Sequence, residues 1–266
     1  MDAASGPVTA DSLAADLRAL GVMHGGTLLV HSSMKSLGWV NGGPAAVIEA
    51  LRRALGPGGT LALPAFSSDL SDPRHWENPP VPEAWWPVIR ETMPPFDPAT
   101  TPTNHIRILP QCFRSLPGVV RSAHPYGSFA ALGPRARAIC EPHALDHPFG
   151  DASPLARLCD GGAQVLLLGC GHRSNTSLHL AEHRARFPKE EIVTGAPVLV
   201  DGERRWVEIR DLDLEIADFE TTGAAFPGAR KGRVAQAACE LFTMRDMVGF
   251  AIGWMEKNRG SGGATS

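Results

Sequence analysis

Apolar positions along this chain fall into short blocks separated by glycine, proline and polar turns. The blocks Thr27–Val30, Thr60–Leu63 and Val165–Leu168 read as buried strands. An amphipathic helix is predicted over Thr9–Leu20, capped near Thr9 or Asp11 and ended at Gly21, after a short flexible lead. A second helix spans about Pro44–Leu55 and stops at Gly56-Pro57-Gly58-Gly59, which makes a strand, helix, strand unit with the blocks on either side. From about 64 to 105 the pattern breaks into proline-rich sequence carrying Trp76, Trp85 and Trp86, and a long structured excursion with short helices is expected there. Helical segments follow around Pro110–Arg114 and Pro134–Cys140. Arg233–Lys257 is predicted as one or two helices, and the tail at about 260–266 as disordered. No internal repeat is visible, and residues 1–266 read as one α/β domain.

The stretch VLLLGCGHRSNTSLHLAEHRA, residues 165–185, carries the densest chemistry. A buried-type strand that ends in glycines and feeds a helix is where open α/β sheets place their ligands, at the carboxyl ends of the strands. On that helix His179 and Glu182 stand three residues apart on one face, so Glu182 can hold the imidazole while its other nitrogen meets a substrate, a general-base dyad in outline. Asn175, Thr176 and Ser177 just before it either cap the helix or donate to a developing oxyanion. The same residues fit a rival pattern, since His179-Leu180-Ala181-Glu182-His183 matches the HxxEH zinc motif of a metallopeptidase. No third zinc ligand can be identified, and His183 lies among Arg184 and Arg186 as on a solvated face.

A second candidate follows the first strand: His31-Ser32-Ser33-Met34-Lys35-Ser36-Leu37-Gly38 offers hydroxyls, backbone amides and one lysine to the phosphates and amides of a nucleotide-like cofactor, or forms a polar turn. It matches neither a Walker A nor a GxGxxG pattern. Carboxylates gather in two places, over residues 201–220 and in the excursion at Asp69, Asp72, Glu77, Glu83, Glu91 and Asp97. Either they solvate charged surfaces or together they favour a polyamine-like cationic ligand.

A formal charge of −3 without any basic stripe argues against nucleic acid. Five cysteines with no CxxC pair read as reduced thiols of a cytosolic protein. The first twenty residues lack a basic head and apolar core, and no apolar run approaches membrane-spanning length, so a soluble cytoplasmic protein without a membrane partner is expected.

Taken together, LLVHSSMKSLG, FDPATTPT at 96–103, FRSLPGVVRSAHPYGSFAALG at 113–133, PFGDASPLARL at 148–158 and the 165–185 stretch resemble the antibiotic N-acetyltransferase family, the aminoglycoside 3-N-acetyltransferases, in order and over nearly the whole chain. The resemblance implies a layered α/β/α fold distinct from that of the histone-type acetyltransferases. It implies acetyl-coenzyme A as donor and the 3-amino group of an aminoglycoside as acceptor, with no metal. It also implies His179 as base, Glu182 as its orienting partner, the His31–Gly38 turn as the coenzyme A site, and Asp213, Asp69 and Asp97 as acids of the substrate site. Thr176 or nearby amides would then stabilise the oxyanion. The zinc hydrolase and a non-catalytic binder of cationic small molecules remain the alternatives. The sequence is silent on oligomeric state and on which aminoglycosides are accepted.

Overall fold

The computed structural model describes residues 6–104 and 108–260. The expected flexible lead falls partly, and the expected tail beyond Gly260 wholly, outside the described residues. Helix α1 (Ala10–Leu20) begins with a capping box, the Thr9 hydroxyl accepting from the Ser12 amide at 3.2 Å and the Ser12 hydroxyl from the Thr9 amide at 3.0 Å. It leads to β1 (Thr27–Ser32), α2 (Gly43–Leu55) and β2 (Thr60–Pro64). The excursion then makes two single 3-10 turns, helix α3 (Trp86–Thr92) and, past its end, α4 (Ile108–Arg114). Next come β3 (Val120–Arg121), β4 (Phe129–Leu132), α5 (Ala136–Cys140), α6 (Pro154–Asp160), β5 (Gln164–Leu168) and α7 (Ser177–Arg184). The remainder is β6 (Glu191–Val200), β7 (Glu203–Leu212), α8 (Phe219–Ala224), β8 (Arg230–Val234), β9 (Ala237–Thr243) and α9 (Met244–Asn258).

Seven strands form one mixed sheet in the order β3-β4-β2-β1-β5-β9-β8, and β6 and β7 pair separately as a hairpin. Within this sheet, among the described residues, β1 runs parallel to β2 and to β5, and the flanking pairs are antiparallel. The two-residue period of the central strands divides the core between the sheet faces. Leu28, Val30, Leu166 and Leu168 pack with α1, α2 and α4, whereas Leu29, Val165 and Leu167 pack with α5, α6, α7 and α9. That is the layered α/β/α arrangement. Because β1 has β2 on one side and β5 on the other, the strand order reverses at β1, and a crevice opens at the carboxyl ends there.

One expected element differs. Residues 233–243, read as helical, complete the β8–β9 hairpin, and only Met244–Asn258 is helical. Val165, Leu166 and Leu167 need an edge partner, and β9 supplies it, pairing Phe242, Leu241 and Glu240 with them. The acidic run over 201–220 is largely strand β7 and the loop after it. Among the described residues no helix is long and apolar enough to cross a membrane, and all five cysteines are free thiols.

Candidate active site

Strand β5 ends at Leu168, and the chain turns at Gly169 with φ 68°, where a Cβ would stand 2.5 Å from that of Ser36. Any side chain at 169 would therefore push the His31–Gly38 turn away from the strand end. A 3-10 turn over His172–Ser174 then aims α7 across the crevice. Its entry is fixed by a polar chain. The Asn175 amide oxygen accepts from the Ser177 amide at 3.3 Å and hydroxyl at 2.6 Å. Its nitrogen lies 3.4 Å from His172 Nδ1, and His172 Nε2 lies 3.0 Å from the Glu240 carboxylate on β9. The His172 ring covers Gly223 of α8 so closely that a Cβ there would fall 1.9 Å from the imidazole. Asn175, not Thr176, thus does the capping, and the Thr176 hydroxyl is left for the crevice.

His179 Nδ1 lies 2.7 Å from Glu182 Oε2. A carboxylate only accepts, so Nδ1 carries the proton and Nε2 is left as the basic nitrogen. The ring is clamped between Phe149, stacked at 5.0 Å and 23°, and Phe219 at 4.9 Å and 58°. Glu182 is 2% exposed and its second oxygen is also satisfied, accepting from Arg259 Nη1 at 2.7 Å and from the Glu215 amide at 3.1 Å. A buried charge is tolerated only with such partners.

A cavity of about 260 Å³ lies over this ring, lined by His179, Thr176, His31, Ser32, Phe66 and Arg173 among others. It sits where β1, β2 and β5 end. A larger depression of about 520 Å³ lies between His24, Arg52 and Gly133, away from the dyad. In the smaller cavity His31 is buried, and burial, followed by the nearby His179 and His172, pushes its pKa down to about 3. It is a neutral imidazole, with Nε2 at 3.4 Å from the Thr176 hydroxyl.

The expected cofactor turn divides. His31 and Ser32 line the cavity. The Ser33 amide is spent on Leu168 O at 2.9 Å and the Ser36 hydroxyl on Gly169 O at 2.8 Å. Met34 and Leu37 pack into the core, the chain reverses at Gly38 with φ 80°, and Lys35 stands exposed. Of the expected substrate acids, Asp213 lines a depression of about 400 Å³ next to the dyad, together with Glu182, Glu190, Glu215 and Arg259. Asp97 is engaged by its own loop, accepting from the Ala99 amide at 2.8 Å and the Thr100 hydroxyl at 3.0 Å, and these bonds hold its carboxyl below the usual range. Asp69 is exposed, and neither it nor Asp97 lines the His179 cavity.

His183 is not on a solvated face: its side chain is 9% exposed, with Nε2 3.7 Å from Asp211 Oδ1 and the ring edge-on to His147. The loop at His147–Gly150 and Asp211 on β7 close over the ring and take it out of solvent in spite of the two flanking arginines. Burial pushes the His183 pKa to about 3 and that of Asp211 up to about 7. His183 therefore turns toward β7 while His179 is tied to Glu182, so the HxxEH pair does not converge. Among the described residues no group of three or more His, Cys, Asp or Glu could hold a metal ion.

Residues 29–256 match the family profile described as aminoglycoside 3-N-acetyltransferase. The chain belongs to this family. It is 43% identical to the SPbeta prophage-derived aminoglycoside N(3')-acetyltransferase-like protein YokD of Bacillus subtilis (strain 168), over 95% of this chain and 94% of that one. It is 39% identical to aminoglycoside N(3)-acetyltransferase VII of Streptomyces paromomycinus, over 97% and 96% of the two chains. A solved structure of AAC-IIIb in binary complex with CoASH aligns with a TM-score of 0.87 at 32% identity, covering 97% of this chain and 99% of that one.

Within this acetyltransferase-family fold, the sequence pattern does not single out Phe149 and Phe219 of the clamp, Ile216 of the cavity lining or Arg259. Phe149 lies inside PFGDASPLARL, so the family resemblance is the signal that points to it. Phe219 and Arg259 reach the dyad only through tertiary packing, and Arg259 lies beyond the matched stretch.

Proposed function

We propose that this family member transfers the acetyl group of acetyl-coenzyme A to the 3-amino group of an aminoglycoside, with His179 as general base. The observation that carries the reading is the Glu182-bound, twice-stacked His179 ring facing a cavity at the strand ends. At about 260 Å³ that cavity suits the reacting ends of two substrates rather than either one whole. The donor's phosphates would meet cations at its approach, Arg173 in the lining and exposed Lys35 in the turn after β1. The binding of CoASH by AAC-IIIb supports this donor. The carboxylates of Glu190, Asp213 and Glu215 beside the dyad favour a polycationic acceptor. A cytoplasmic setting, where acetyl-coenzyme A is made, completes the reading, with neither nucleic acid nor membrane as partner.

The chemistry needs no covalent enzyme intermediate. The acceptor ammonium first gives up a proton to solvent, and the free amine then attacks the thioester carbonyl. His179 Nε2 takes the proton the nitrogen sheds as the N–C bond forms. Glu182 stabilises the resulting imidazolium. Thr176 would donate to the oxyanion; a neutral His31 can offer an N–H to the Thr176 oxygen, which leaves the hydroxyl proton for the intermediate. The C–S bond then breaks and the proton passes to the departing sulfur.

The test is thiol release from acetyl-coenzyme A with a panel of aminoglycosides, with the acetylated nitrogen located by NMR. Drug-dependent release with acetyl on the 3-amino nitrogen supports the proposal. Drug binding without release would make the protein a binder of cationic small molecules instead.

A further inference from the structure

Arg259 follows the last turn of α9, and its side chain is only 15% exposed. Its Nη1 donates to Glu182 Oε1 at 2.7 Å, its Nε to Asp218 Oδ2 at 2.8 Å and its Nη2 to the Glu215 carbonyl at 3.0 Å. The guanidinium also lies over the Phe187 ring, 5.3 Å from its centroid. The other oxygen of the Glu182 carboxylate belongs to His179. One buried carboxylate is thus shared between a permanent cation and the imidazole.

We propose that Arg259 is a positioning residue of the active site: it keeps Glu182 ionised and turned toward His179, and so sets the pH at which the His179–Glu182 pair takes up its proton. The proposal rests on His179 being the base. An isolated carboxylate buried this deeply drifts toward its neutral form, and a neutral Glu182 could not stabilise an imidazolium. The Arg259 cation prevents that drift. The guanidinium sits one carboxylate away from the imidazole, so losing its charge in a variant would ease proton uptake by the pair as a unit. Asp218 partly neutralises the guanidinium and moderates the effect.

The other ionisable groups around the pair are spread over several elements. His31 on β1 and His183 on α7 are held neutral by burial. His172 and Arg173 on the turn before α7, Lys189 and Glu190 after it, Asp211 on β7, Asp213 and Glu215 before α8, and Glu256 on α9 stand around them. All of these are unchanged in the variants that follow, so a shift in the profile reports on Arg259.

The experiment is the pH dependence of kcat/KM for acetyl transfer by the wild type, Arg259→Gln, Arg259→Lys, Asp218→Asn and His179→Ala. Arg259→Gln is expected to move the acid limb up by roughly one pH unit, the size of effect an adjacent charge produces. Arg259→Lys restores the limb, because the charge returns, although kcat stays below wild type. Asp218→Asn moves the limb the opposite way. An arginine that merely staples the helix end would lower thermal stability and leave the limb in place, and an unmoved limb in Arg259→Gln overturns the proposal. Should that variant fail to fold, an unmoved limb in Asp218→Asn overturns it equally. A His179→Ala enzyme with near wild-type rate overturns the base assignment and this proposal together, whereas an inactive His179→Ala beside unmoved limbs overturns this proposal alone.

Discussion

His179 Nδ1 and Glu182 Oε2 lie 2.7 Å apart along one face of α7, and Glu182 spends its other oxygen on Arg259 and the Glu215 amide. The carboxylate therefore orients the imidazole and fixes its tautomer, and in the proposed reaction it would compensate the charge of the protonated ring.

Glu182→Gln removes the charge and keeps the shape. Acetyl transfer should slow by on the order of 100-fold, mostly in kcat, because the imidazolium loses its counterion while Glu190, Asp213 and Glu215, the exposed acids beside the dyad, are unchanged. Steady-state kinetics with the aminoglycoside varied will separate kcat from KM. A rise in KM at constant kcat would mean that Glu182 serves binding instead.

Phe219 is 1% exposed and covers one side of the His179 ring. Phe219→Ala should cost about 3–5 kcal/mol of stability through lost burial and the cavity left behind. Phe219→Leu should largely preserve the fold yet lower kcat, because a free ring rotamer replaces a clamped one. Urea unfolding and turnover measured on both variants check this; equal turnover in Phe219→Leu and wild type would show that the clamp is unnecessary.

Stability should fall as the pH drops below about 6.5. Burial lowers the pKa of His31, His143 and His183 to about 3 and that of His124 to about 4. Below the unfolded histidine pKa, near 6.5, the unfolded chain binds protons that the folded protein refuses. Each such site removes about 1.4 kcal/mol per pH unit until the folded pKa is reached. Asp211 works in the opposite sense, since burial raises it to about 7 and its folded form holds a proton that the unfolded chain has released above about 3.8. One carboxyl does not offset four imidazoles, so the urea midpoint at pH 5.5 should lie well below that at pH 7.5. Equal midpoints would mean that these rings are hydrated in solution.

The parts of the fold legible in the sequence were those with unbroken apolar runs. Strands β1, β2 and β5 are buried on both faces, and Leu28-Leu29-Val30 or Val165-Leu166-Leu167-Leu168 carry that in their composition. The β6–β7 hairpin was hidden because ERRWVEIRDL interleaves charges with its apolar positions, its outer face being wet. The β8–β9 hairpin was hidden because its sequence runs directly into α9 and its pairing with β5 is a long-range contact. In the site, the dyad was legible because helical spacing puts residues three apart side by side. The aromatic clamp and Arg259 were not, because they come from distant elements brought over α7 by packing. His183 follows the same logic: local charge suggests solvent, but His147, Gly150 and Asp211, all distant in sequence, enclose the ring.

The most direct test of the central claim compares His179→Ala with wild type in thiol release from acetyl-coenzyme A driven by an aminoglycoside, on protein shown by circular dichroism to be folded. Loss of a positioned base predicts a fall of roughly 100- to 10,000-fold in turnover with the donor still bound. Near-normal release by the variant would contradict the assignment of His179 as the base and require the proton to leave by another route.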